Sequence, residues 1–246
     1  MLEIHGLESS YPGFTLGPIT TTVRRGEFAT LVGTNGSGKS TLLRSLLGLQ
    51  TLEAGGAEWD GLPIPERNPA LLSLIGYVSD SPKDVLPEFT AQEYWSYCRK
   101  AHERVRRTRI DGAMDRARRL AERLDFPLGQ SSPLGALSLG TTRKAQIIGA
   151  LLAEPDLVIL DEPFIGLDFI AARSLEVLLR ELVAEGTTVL ASSHDLNLTS
   201  RIADQLIVLH AGGIVLDRPV RELGGAEGLE PAIIDALGSH GKAALS

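Results

Sequence analysis

Gly33-Thr34-Asn35-Gly36-Ser37-Gly38-Lys39-Ser40 is the stretch on which the reading of this chain turns. Its spacing is G-x-x-x-x-G-K-S, with an apolar strand-like run, Phe28–Val32, before it and a helical pattern, Lys39–Gly48, after it. Glycines let successive backbone N–H groups turn inward around an anion, and the helix start adds the positive end of its dipole. Lys39 is placed to reach the β- and γ-phosphates of a nucleotide, and Ser40 to offer a hydroxyl to Mg²⁺. With Thr41, the run 33–41 is the expected cradle for the phosphates.

Around this loop the chain alternates in a way that suits an α/β core. Leu2–Leu7 and Leu16–Val23 read as strands separated by the turn segment Ser9-Ser10-Tyr11-Pro12-Gly13, and Leu74–Val78 as a short strand. Between Thr90 and Asp125, Tyr94-Trp95-Ser96-Tyr97 leads into a charge-dense stretch that predicts a helical insert. Its arginines alternate with Glu103, Asp111, Asp115 and Glu122, the pattern of a solvated helix face. Leu157-Val158-Ile159-Leu160 has no polar side at all, as a strand buried on both faces of a parallel sheet requires. Thr187–Ala191 and Gln205–Leu209 repeat that character, with Ala171–Ala184 helical between. The final segment, Gly224–Ser246, is glycine-rich and weakly patterned, and no function is assigned to it.

The 246 residues carry a formal net charge of −7, and hydrophobic residues make up 43% of them. That length buries a sizeable core without staples, and Cys98, the single cysteine, cannot close an internal disulfide. A reducing, intracellular setting is the expectation. The acidic balance argues against a nucleic-acid partner. No stretch approaches the roughly 20 apolar residues of a membrane span, and Met1-Leu2-Glu3-Ile4-His5 lacks the order of a signal peptide. Any role at a membrane is expected to run through a separate partner.

A second chemical signal is Asp161-Glu162, directly after the all-apolar run. A carboxylate there sits at the strand's carboxyl end, where open α/β sheets bind ligands. Asp161 suits Mg²⁺, directly or through water, and Glu162 suits polarisation of an attacking water.

Together with Leu137-Ser138-Leu139-Gly140, 23 residues before Asp161 and entering a helix, these motifs resemble those of the ATP-binding-cassette (ABC) ATPases. The similarity runs to about Leu223. It implies a phosphate-loop fold with a RecA-like core, an antiparallel β subdomain and a helical subdomain at about 90–140, all within a nucleotide-binding domain of residues 1–223. It also implies that Ser138 and the Gly140 backbone bind the γ-phosphate of ATP held by a second copy. Tyr11 resembles the aromatic that stacks on adenine, Gly166-Leu167-Asp168 the loop that crosses the dimer interface, and His194 the histidine that contacts the γ-phosphate.

Some positions depart from the family. Asp80 stands where a Gln that senses Mg²⁺ and the water is usual, Thr141 replaces the signature Gln, Leu139 its first glycine, and Ile165 a small polar residue. Phe89, Tyr94, Trp95 and Tyr97 are candidates to line a groove that docks a membrane partner. The resemblance thus implies the ATPase subunit of an ABC transporter. It would use ATP and Mg²⁺ with Lys39, Glu162 and His194 as catalytic groups, paired with a second nucleotide domain and separate transmembrane permease subunits at the inner face of the cell membrane. Asp80, the Leu-Ser-Leu-Gly variant and Pro163-Phe164 resemble exporters. The alternative is a soluble ABC ATPase acting as a mechanical clamp in iron–sulfur assembly, DNA repair or translation.

Overall fold

Five apolar or small residues in a row, Phe28–Val32, cannot present a side to water. They form a strand buried along its whole length at the centre of a six-stranded sheet. The computed structural model describes residues 1–64, 69–81, 85–129 and 131–243. Its first half runs β1 (Leu2–Tyr11), β2 (Phe14–Val23), β3 (Phe28–Val32), α1 (Lys39–Leu46), β4 (Ala54–Trp59), β5 (Leu62–Pro63), α2 (Pro69–Leu72) and β6 (Ile75–Val78). Then follow α3 (Ala91–Arg106), α4 (Ala113–Arg123), α5 (Leu139–Leu151), β7 (Leu157–Leu160), α6 (Phe169–Ala184), β8 (Thr188–Ser192), α7 (Leu196–Ile202), β9 (Gln205–His210), β10 (Gly213–Pro219) and α8 (Ala226–Ala243).

The central sheet has the order β10-β9-β3-β8-β7-β6, parallel throughout except for β10. Side chains alternate across a strand, so each strand feeds two cores. Phe28, Val32, Val158, Leu160, Leu206 and Val208 face the core shared with α3 to α8. Ala29, Leu31, Leu157, Ile159, Ile207 and Leu209 face the other, built with Leu42, Leu43 and Leu46 of α1 and with Leu2, Ile4, Leu16 and Ile19 of the antiparallel sheet β2-β1-β4-β5. Parallel strands put the loops after β3, β6, β7 and β8 on one edge. That edge is where the phosphate loop, Asp80, Asp161-Glu162 and His194 emerge.

Three segments differ from the sequence reading. The alternation of β1 continues through Ser9 to Tyr11, which pairs with Phe14, so the turn is only Pro12-Gly13, with Gly13 at φ +87. The weakly patterned C-terminal segment is a helix, α8, whose Leu229 and Ile233 are buried beside α7 and β10. Its Leu229, Ile233 and Leu237 recur every four residues, a signal diluted by Gly228, Gly238 and Pro231; residues 244–246 lie outside the described residues. The aromatics of the insert also divide. Trp95 belongs to the core and not to a surface groove: it is 1% exposed, meets Phe126 edge-on at 5.2 Å and donates its Nε1–H to the Ala145 carbonyl at 3.0 Å. Tyr94 packs against the same core, whereas Tyr97 is 54% exposed and stands edge-on over Phe89 at 6.2 Å.

The insert itself forms where the local signals agree. Thr90 and Glu93 make a reciprocal capping box at the start of α3. Arg99 pairs with Glu103, Arg116 with Glu154 and Arg123 with Glu181, each at 2.6 Å. The last two ion pairs tie α4 to the segments that flank β7.

Candidate functional site

The loop Gly33–Gly38 closes on itself and onto its neighbours through backbone bonds, Ser37 N–H to the Thr34 carbonyl and Gly212 N–H to the Ser37 carbonyl, both 3.1 Å. Gly38 requires its lack of a side chain: it sits at φ +107, and a Cβ there would lie 2.9 Å from Phe14 and from Leu16. Thr34, Asn35 and Gly36 are exposed, while Ser37 and Lys39 are buried and Ser40 and Thr41 are half-buried. The Lys39 ammonium arches back over the loop, donating to the Gly33 carbonyl at 2.8 Å and to that of Thr34 at 3.3 Å.

Phe14, packed against Gly38, also stacks with Tyr11 at 5.3 Å and 29° between ring planes. The hairpin turn thus carries a 47%-exposed tyrosine ring to the flank of the phosphate loop.

The acids after β7 are joined to the end of β8 by one hydroxyl. Ser192 Oγ donates to Asp161 Oδ1 at 2.6 Å and accepts the Glu162 N–H at 2.8 Å. Glu162 has φ +48, in the left-handed region that non-glycine residues seldom occupy. Such backbone strain clusters at functional sites. Its carboxylate Oε2 lies 3.0 Å from His194 Nδ1, which β8 brings across from 32 residues away. The sequence reading missed Ser192; the only available hint was a pair of serines, Ser192-Ser193, between an apolar strand and His194.

Asp161 is fully buried, and its Oδ2 has no hydrogen-bond partner among the described residues. Burial pushes its carboxyl above the usual range, with the Ser192 and Ser40 hydroxyls acting the other way. The charges of Asp80 and Lys39 also reach it, raising and lowering it respectively. A hard oxygen donor left unpaired, with a serine hydroxyl and a second carboxylate close by, fits Mg²⁺, which takes few protein ligands beside phosphates. A carboxyl raised by burial costs stability from above its unfolded pKa onward, and the cost is complete above its pKa in the folded protein. Asp161→Asn removes that cost near neutral pH. The nucleotide-free variant is therefore expected to melt at a higher temperature, while Mg²⁺-dependent turnover is lost; a lower melting temperature in calorimetry overturns this account.

Ser138 caps α5, accepting the Thr141 N–H at 3.2 Å, and its hydroxyl lies 2.8 Å from that of Thr141. The residue that replaces the family's Gln is thus a direct partner of the signature serine. A Cβ on Gly140 would lie 2.3 Å from the Gly166 carbonyl oxygen, so the signature turn and the Gly166-Leu167-Asp168 loop touch backbone to backbone. Asp168 caps α6 through the Ala171 N–H at 2.9 Å, a bond that pulls its carboxyl below the usual range. Lys144 of α5 stands 3.7 Å from the Asp168 carboxylate. Leu139, Ile165, Phe169 and Ile170 are all exposed, Phe169 at 87%.

A family model described as ABC transporter matches residues 16–165. The chain belongs to the ABC transporter family. The cassette is 35% identical over 227 residues to a phosphonates import ATP-binding protein of Nostoc sp. (strain PCC 7120), covering 88% of this chain and 92% of that one. It is 32% identical over 225 residues to a putative ABC transporter ATP-binding protein of Streptomyces coelicolor, covering 90% and 84%. A solved ATP-binding subunit of an ABC transporter superposes with TM-score 0.85 at 27% identity, over 96% of this chain and 99% of the other. The fold is shared with a dimeric ATP-binding cassette solved with ADP and Pi, TM-score 0.77 at 22% identity over 90% and 99%. This chain is accordingly an ABC ATPase, the ATP-binding subunit of a transporter, and it uses ATP with Mg²⁺. No helix among the described residues is long and apolar enough to cross a membrane.

Proposed function

We propose that two cassettes close head-to-tail over two ATP–Mg²⁺ and that hydrolysis reopens them, driving transport through separate permease subunits. The observation that carries this reading is a division of the expected phosphate ligands. The phosphate loop, the Asp161–Ser192–Glu162–His194 network and Asp80 share one sheet edge. Ser138 and Gly140 instead sit on α5, packed against the Gly166 loop, with Ser138 exposed at the helix start. An exposed hydroxyl at a helix N-terminus suits a phosphate that this chain does not itself hold.

In this reading Tyr11 stacks on adenine, the amides of 33–41 cradle the phosphates and Lys39 exchanges its loop carbonyls for phosphate oxygens. The Glu162 carboxylate takes a proton from water as the new O–P bond forms, and the bond to the bridging oxygen breaks to release ADP. His194, bonded to Glu162, holds that carboxylate in line. Ser40, Asp161 and Asp80 would hold Mg²⁺, which supplies charge neutralisation at the phosphates.

Tyr97 over Phe89 is the aromatic patch offered to the permease at the cytoplasmic face of the membrane. For direction, Asp80, the Leu-Ser-Leu-Gly variant and Pro163-Phe164 favour export; the import subunits among the relatives favour the opposite. Pull-down of tagged Glu162→Gln cassette from detergent-solubilised cells with ATP–Mg²⁺ tests the assignment. A polytopic membrane protein in stoichiometric amount is expected. Recovery with soluble assembly factors alone overturns the transporter reading in favour of a clamp, and a co-purifying substrate-binding protein overturns export.

A further inference from the structure

After β6, three successive carbonyls each accept a hydrogen bond from a side chain of α5. Arg143 Nη1–H donates to the Ser79 carbonyl and Nη2–H to the Asp80 carbonyl at 2.7 Å, and Gln146 Nε2–H donates to that of Ser81 at 3.0 Å. Arg143 is 1% exposed. Burying a guanidinium costs several kcal/mol unless charges and acceptors surround it. Burial indeed pushes its pKa down, and the carboxylates of Asp80, Asp161 and Glu162 act against that shift. The cation is thus held by two carbonyls at the edge of the site and feels the charge of the same three acids that the site presents to ATP–Mg²⁺.

We propose that Arg143 is a positioning residue for Asp80, its planar fork on two successive carbonyls fixing the loop from which that acid reaches the nucleotide-bound divalent cation. The inference rests on the reading of Asp80 as facing Mg²⁺. It also explains how an acid is accommodated where the family usually has Gln: the added negative charge is matched by a buried cation from the helix that Ser138 caps. Arginine and lysine separate the two aspects, because lysine keeps the charge but has no rigid pair of donors to bridge neighbouring carbonyls.

The test is Mn²⁺ binding to the full-length, ADP-loaded cassette, followed by electron paramagnetic resonance without turnover. Arg143→Lys is expected to weaken Mn²⁺ by about tenfold, the lower end for outer-shell partners of a metal site, with metal-free ADP affinity unchanged within about twofold. In an Asp80→Ala background the same substitution is expected to add nothing, the mark of action through that carboxylate. Unchanged Mn²⁺ affinity in Arg143→Lys, or equal weakening with and without Asp80, overturns the proposal. Should Arg143→Lys fail to fold, Gln146→Met removes the neighbouring clamp at similar volume, and no weakening there has the same force. An unsubstituted chain that binds no ADP overturns the nucleotide reading itself, a result distinct from any of these.

Discussion

Glu162→Gln is expected to lower steady-state ATP hydrolysis by about 10²–10⁴-fold, the span of a lost general base, while ATP binding persists. The substitution is close to a single-atom change. The Glu162 N–H still has Ser192 Oγ to donate to, the φ of +48 asks the same of either residue, and the amide oxygen can still meet His194. What disappears is the second oxygen's capacity to take a proton from water. An enzyme that binds but cannot turn over accumulates in its ATP-loaded form. Size-exclusion chromatography with ATP–Mg²⁺ should therefore show a dimer for the variant and a monomer without nucleotide. Turnover within tenfold of the parent removes Glu162 from the role of base.

Gly140→Ala is the second large effect, and its origin is steric. The new methyl carbon would lie 2.3 Å from the Gly166 carbonyl oxygen, a backbone atom with no rotamer to escape into. Gly166 cannot retreat freely either, since it sits at φ +82 with the Leu139 side chain already against it. One of the two loops must shift by about an ångström, and misplacement of that size in a positioned site costs about 10²-fold. ATP hydrolysis is expected to fall by that factor. Nucleotide affinity of the single cassette should stay within about twofold, because the phosphate loop lies on different elements. Loss of nucleotide affinity in parallel with turnover would falsify the assignment of Gly140 to a surface used by a second copy.

The sequence was most legible where one local rule decides the structure. The phosphate loop must follow a strand and open a helix, and Phe28–Val32 and Lys39–Leu46 do so. The apolar run Leu157–Leu160 could only be a doubly buried strand, which put Asp161 and Glu162 at the sheet edge. What escaped reading depends on residues far apart in the chain. Ser192 matters because β8 lies beside β7, and Phe14 because a hairpin folds it onto Gly38. Arg143 stands in a helix whose sequence pattern gave no hint that two carbonyls 64 and 63 residues earlier await it. Trp95 and Tyr97, two positions apart in a cluster of aromatics, separate into core and surface only once α3 is laid against α5.

The groups expected to meet the nucleotide arrive at the ends of several strands, Tyr11 at the end of β1, Gly33 after β3, Asp161 and Glu162 after β7 and His194 after β8, and β8 lies between β3 and β7 in the sheet. No single segment of the chain therefore holds the complete site. Nucleotide is in effect a chaperone-like ligand of the completed sheet alone, adding about 2.7 kcal/mol to its stability at a hundredfold excess over the dissociation constant. A cassette emptied of nucleotide lacks that increment and is the form expected to be most open to proteolysis.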